Sequence, residues 1–148
     1  MNFQFFLVRK VKELIISAKA ESLEKAFSNI ANNLFEIMID TSTLNNSTTK
    51  TIIIRDKDLK SLLYNYLRKL HNFASTESLV LGNVTNLSIN LVNGEYMLTG
   101  NASGEAINRS HKIRSQVKQI TDRNIIIKED NGGCILQISV VADVIDEI

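Results

Sequence analysis

Residues 21–42 constrain the fold more than any other stretch of the chain. Leu23, Ala26, Phe27, Ile30, Ala31, Leu34, Ile37 and Met38 recur at i, i+3, i+4 and i+7. That spacing gathers side chains onto one stripe of an α-helix. Such a stripe must be covered, so the rest of the chain has to supply an apolar surface for it. Ser22 is placed to cap the helix, its hydroxyl accepting from an otherwise unpaired N–H of the first turn. The stripe ends at Asp40-Thr41-Ser42-Thr43, short polar side chains that bond their own backbone in competition with the helix. Asp40 is thereby delivered to the C-terminal end, where the carbonyl dipoles disfavour an anion. A carboxylate held there calls for a compensating cation, either a basic side chain or a metal ion, unless it simply opens a solvated loop.

The remaining periodicities fill in the partner surface. A strand is expected at residues 3–8 and a second at Leu14–Ala18, with Arg9-Lys10-Val11-Lys12-Glu13 as a solvated turn between them. Thr51–Ile54 is β-branched and strand-like. A second amphipathic helix, capped by Asp56 or Asp58, runs through Leu59, Leu62, Leu63, Tyr66, Leu67 and Leu70 to His71. From Leu79 the period drops to two. Val80-Leu81 and Leu87–Val92 read as separate strands, Asn93-Gly94 as a type I′ hairpin turn, and Tyr96–Ala102 as the return strand, broken by Ser103-Gly104-Glu105. A polar loop to Ser115 precedes a last hairpin, Gln116–Lys128 and Ile135–Val144 around Asn131-Gly132-Gly133. The order predicts an α+β fold, two amphipathic helices packed on a largely antiparallel β-sheet, in one domain spanning 1–148.

Composition narrows the function classes. With 148 residues, 44% of them apolar, and a formal net charge of +1, the chain can bury a proper core and lacks the global basicity of a nucleic-acid binder. No apolar run is long enough to span a bilayer, so no membrane association is expected. The lone Cys134 excludes an intrachain disulfide framework and multi-cysteine zinc sites, which fits a reducing, cytoplasmic setting. No glycine-rich phosphate loop lies between a strand and a helix, and neither His71 nor His111 stands in a nucleophile motif. What remains is a set of acids at element ends, Glu13, Asp40 and Asp143, of the hard oxygen type that Ca²⁺ or Mg²⁺ requires. Beside it stands a basic group, Arg109, His111, Lys112, Arg114 and Lys118, suited to phosphates or an acidic partner surface.

Four ordered blocks, SLEKAFSNIANNLFEIMIDTS, DKDLKSLLYNYLRKLHNFASTESLVL, GNASGEAINRSHKIRSQVKQIT and ISVVADV, resemble the archease family across nearly the whole chain. The resemblance implies a compact α+β domain that is not an enzyme in its own right. It implies instead a protein cofactor of the RtcB-type RNA ligase, helping that ligase become guanylylated and turn over in tRNA splicing and RNA repair, with tRNA reached only through the ligase. It further implies a divalent cation, usually calcium, held by acids of the N-terminal block and the C-terminal end. Asp143 matches the family's C-terminal acid, and Val144 the following residue, whose main-chain oxygen is a ligand. Asp40 matches the acid of a Met-Thr-Asp-Thr-Ser block, with Ile39 in place of threonine. Lys118 matches a lysine of the Val-Lys-Ala-Val-Thr strand, and His111 and Glu105 match polar positions before it, expected to contact the partner. Where the family carries His-Thr-Ala-Asp, this chain has Lys10-Val11-Lys12-Glu13, so the histidine is lost and the aspartate becomes Glu13. Lys10 and Lys12 bring positive charge to where a cation would sit, and an ammonium can take an ion's place. The alternatives to a metal-loaded ligase cofactor are a diverged protein-binding or chaperone-like module without the ion, and a small hydrolase built on the same acids. The resemblance carries no statement about oligomeric state.

Overall fold

The computed structural model describes residues 7–147. The elements are β1 (Leu7–Ala20), α1 (Leu23–Met38), a 3₁₀ turn (Thr41–Thr43), β2 (Thr48–Asp56), α2 (Leu59–Glu77), β3 (Leu79–Val92), β4 (Glu95–Ala106), β5 (Gln116–Ile120), β6 (Ile126–Asp130) and β7 (Gly133–Glu147). The expected α+β class holds, with all strand pairs antiparallel, but the strands form two sheets where one was expected. One sheet has the order β1-β7-β5, with β6 also on β7; the other has the order β2-β4-β3.

Each helix bridges the two sheets. α1 packs on β1, β3 and β7, whereas α2 packs on β2, β3 and β5. The predicted stripe of α1 supplies Ala26, Phe27, Ile30, Ala31 and Leu34 to the core, and α2 supplies Leu62, Leu63, Tyr66, Leu67 and Leu70. These merge with Ile52, Leu98, Leu136, Ile138 and Val140 from both sheets into one buried cluster. The buried Tyr66 hydroxyl donates to the Phe27 carbonyl at 3.0 Å, and burial pushes its pKa well above the usual phenol value. The caps are as read: Ser22 accepts from the Lys25 N–H at 3.1 Å, and Asp58, not Asp56, accepts from that of Ser61 at 2.8 Å. Asn93 and Gly94 both take positive φ, 52° and 80°, as a type I′ turn requires.

The expected turn at residues 9–13 is absent, and the chain runs straight through as β1. Its backbone pairs with β7 along the whole length, Val11 opposite Asp143 and Glu13 opposite Val141. Ladder hydrogen bonds satisfy the main chain whatever the side chains are, so a charged cluster need not end a strand. Residues 3–6 of the expected first strand lie outside the described residues. Likewise Ser103-Gly104-Glu105 does not break β4. Gly104 lies opposite Leu81, where an added Cβ would run into the Val80 carbonyl, so glycine there permits close strand approach. The two strands expected between Val80 and Val92 are a single β3 with register shifts at Leu81/Asn83 and Thr85/Ser88. The last hairpin, by contrast, is split on its outward side into β5 and β6.

Gly104→Ala is expected to lower unfolding free energy by about 1–3 kcal/mol or more through overpacking. Gly94→Ala, with nothing within 4 Å of its Cβ, pays only the strain of its positive φ of 80°. Urea titration of both variants, with the larger loss at Gly104, is the check.

Candidate functional site

The last half of β7 positions the site. β1 lies along one edge of it and β5 along the other, so Asp143 stands between Val11 and Gln116 in register. Odd-numbered residues of β1 from Arg9 to Lys19 point away from the core, and the even-numbered Ile16 and Ala18 point into it. Glu13 and Asp143 therefore share the outer face as diagonal cross-strand neighbours, a spacing of roughly 7–8 Å between their Cα atoms. Val144, opposite Lys10, packs its side chain against the core.

Asp40 is built into a different element. Its Oδ1 accepts from the Ser42 hydroxyl at 2.7 Å and the Ser42 N–H at 3.1 Å, capping the 3₁₀ turn. Those two bonds, and then the charges of Arg114 and Lys112, hold its carboxyl below the usual aspartate value. Among the described residues, no three histidine, cysteine, aspartate or glutamate side chains form a group that could hold a metal ion. Glu13 and Asp143 are thus brought together, and Asp40 does not join them in such a group.

An arginine faces each acid: Arg123 at 3.3 Å from Glu13, Arg9 at 3.6 Å from Asp143 and Arg114 at 3.9 Å from Asp40. Arg114 also reaches the Glu36 carboxylate at 2.9 Å and the Glu36 carbonyl at 3.0 Å, so it serves the C-terminal end of α1. The compensating cation that Asp40 demanded is therefore a side chain. Arg9 and Arg123 carried no signal in the sequence, because strand register and the turn after β5 decide whom they meet. Asp143 retains one distinctive feature. Its side chain is only 15% exposed, and its Oδ1 is buried with no hydrogen-bond partner. An orphaned carboxylate oxygen is an acceptor left open to a cation or to a donor, so the Asp143 side chain has the chemistry to ligate the implied ion, while Glu13 is engaged by Arg123.

Lys118 is the extra residue of a bulge: Val117 opposes Ala142 and Gln119 opposes Val141, leaving Lys118 unpaired in the ladder and its side chain exposed. His71, which sequence reasoning left without a role, anchors this bulge by donating from Nε2 to the Val117 carbonyl at 2.7 Å. His111 and Glu105 hold each other. The His111 side chain is 1% exposed, its Nε2 meets Glu105 Oε1 at 2.7 Å, and its Nδ1 accepts from the Asn108 N–H at 2.9 Å. The same Glu105 oxygen accepts from the Asn45 N–H at 3.2 Å. A buried histidine so engaged positions the loop of residues 107–115 and offers little surface of its own to a partner. Cys134 is buried, and desolvation, then Glu129 and Glu24, pushes its thiol pKa up, as suits a packing residue.

Glu105 titrates below the usual glutamate value, first through the His111 bond and then through the Asn45 N–H. A depressed folded pKa contributes stability above the unfolded value, and that contribution is lost as pH falls through the folded one. Glu105→Gln is expected to flatten the acid limb of a stability profile measured by urea unfolding between pH 7 and pH 3, roughly the window of carboxylate titration. A profile parallel to that of the parent chain would remove this assignment.

The model of the Archease protein family matches residues 13–144. Protein archease of Methanothermobacter thermautotrophicus is 32% identical over 131 residues, 88% of this chain and 91% of that one. Protein archease of Sulfolobus acidocaldarius is 33% identical over 137 residues, 92% and 95% of the two chains. The solution structure of Methanobacterium thermoautotrophicum protein 1598 matches with a TM-score of 0.74 and 28% identity, covering 95% of this chain and 98% of that one.

Proposed function

Because the chain belongs to the archease family, we propose that it is a non-catalytic protein cofactor of an RtcB-type RNA ligase, promoting guanylylation and turnover in tRNA splicing or RNA repair. The observation that carries the reading is the charged patch on the open face of the β1-β7-β5 sheet. There Glu13 and Asp143 stand on adjacent strands, with Lys118 lifted out of the ladder beside β7. Rigid elements hold all three: β7 is paired on both edges, and His71 clamps the bulge. Such a patch can dock against a ligase and bias it toward its guanylylation-competent arrangement by charge placement alone. No nucleophile enters the reading, tRNA is met only through the ligase, and the cytoplasm is where the work is done. Among the described residues, no helix is long and apolar enough to cross a membrane.

A divalent cation, Ca²⁺ as the family resemblance implies, would be held by the carboxylates of Glu13 and Asp143 with the main-chain oxygen of Val144. Bound there, it would supply fixed positive charge and tie β1 to β7. The second reading, a protein-binding or chaperone-like module without the ion, is favoured by the arginines on these acids, since a guanidinium already neutralises each one. Calcium titration by calorimetry separates the two. Saturable heat that disappears in Asp143→Asn supports the loaded form, and a flat titration of the parent chain supports the module.

Lys118→Ala and Asp143→Ala are each expected to reduce stimulation of the cognate ligase by roughly tenfold or more, as loss of interfacial charge contacts does. The ligase's activity without the cofactor stays unchanged. Full stimulation by both variants, measured as guanylylation rate and turnover, would displace the contact surface from this face.

A further inference from the structure

An antiparallel sheet that does not close leaves outer strands whose second row of N–H and C=O groups has no partner in the ladder. Among the described residues these are β1, β5 and β6 in one sheet and β2 and β3 in the other. All but one carry a device that obstructs further pairing. β1 bears Lys10, Lys12 and Lys19, and the Asn33 side chain of α1 donates to its Ser17 carbonyl at 2.7 Å, taking up an edge group. β3 shifts register at Leu81/Asn83 and Thr85/Ser88, with Asn86 inside the second shift at a φ of 54°. β5 and β6 are five residues each, and β5 is bulged at Lys118. β2 has none of these. Its nine residues hold an unbroken register with β4, and its middle, Thr51-Ile52-Ile53-Ile54, contains no charge and no proline. Ile53 stands 62% exposed on the outer face.

The strand is also complementary to itself. Paired antiparallel with a second copy about a two-fold axis at Ile53, it sets each Ile53 against the other. The same register brings Ile52 to the partner's Ile54, Thr51 to the partner's Arg55 and Lys50 to the partner's Asp56. No like charges meet. Lys50 spends one of its three N–H donors on Glu77 at 3.0 Å, and Asp56 accepts from Asn65 through Oδ2 alone at 2.8 Å, so each retains a group for the cross-strand pair. β1 fails the same test. An axis anywhere from Val11 to Leu14 opposes Lys10 to Lys12, Lys12 to itself, Glu13 to itself or Arg9 to Lys19.

We propose that two copies of this chain pair β2 to β2 about Ile53, joining their three-stranded sheets into one of six strands. The contact uses none of Glu13, Asp143 and Lys118, which belong to the other sheet, and it does not rest on the ligase reading. Nine residues a side fall short of the roughly 20–30 of a stable interface, so the dimer exchanges with monomer as concentration changes.

Sedimentation equilibrium of the full chain at rising concentration is the test, with amide hydrogen exchange to locate the contact. A monomer–dimer equilibrium is expected, and exchange should slow with concentration across residues 48–56 but not in β1 or β3. Ile53→Lys opposes two ammonium groups at the axis and should weaken the dimer by about tenfold or more. Thr51 is exposed, so two substitutions there separate the contact from the fold. Thr51→Arg, facing the partner's Arg55, should weaken association, and Thr51→Glu should strengthen it. A chain that stays monomeric, a dimer whose protection falls on another edge, or association indifferent to the sign of charge at residue 51 would overturn the proposal. Should Ile53→Lys fail to fold, the two Thr51 variants decide.

Discussion

Everything at the candidate site depends on the pairing of β7 along both of its edges. β1 covers one edge from Ala20 back to Leu7, and β5 and β6 share the other end to end. A strand so flanked has its backbone donors and acceptors taken up and its twist shared with its neighbours, so the residues on its outer face cannot shift independently. Glu13, Asp143 and Lys118 are far apart in the chain, yet they occupy neighbouring places because of this ladder and its single bulge. A one-residue slip of β1 against β7 would send Glu13 to the opposite face and expose Ile16, which is why the buried even-numbered positions also specify the site.

The helices do a second job beyond filling the core. Each packs on both sheets, so their C-terminal ends fall where the sheets diverge, and the chain between β4 and β5 closes over that gap. The His111–Glu105 pair ties this segment to β4 and, through the Asn45 N–H, to the chain before β2. Arg114 ties it to the end of α1. The polar contacts of the segment are thus directed inward, leaving Ile107 and Ile113 on the surface beside an apolar cleft.

Electrostatics here is a matter of local pairing. Two ion pairs of roughly half-exposed side chains, Glu13 with Arg123 and Glu36 with Arg114, contribute little to stability, because water and salt screen them. Their weight is in what they leave for other ligands. Asp143 differs, being mostly buried with one oxygen unsatisfied. An unpaired buried acceptor costs free energy that a cation or a partner's donor can recover. This makes Asp143 the residue on which both readings of the patch turn.

Local patterns determined a good deal by themselves. The stripes of α1 and α2, the caps Ser22 and Asp58, the Asn93-Gly94 turn and the need of Asp40 for a cation all depend on neighbours within a few residues, where spacing and side-chain chemistry suffice. The family blocks likewise lie in the sequence. Only the tertiary structure decided that residues 9–13 continue a strand, that β4 runs through Gly104, and that the strands divide into two sheets, since these rest on a backbone partner supplied from far along the chain. The same holds for the arginine beside each acid, for the shared outer face of Glu13 and Asp143, and for the burial of His111. Long-range register places those side chains, and a one-dimensional pattern carries no record of register.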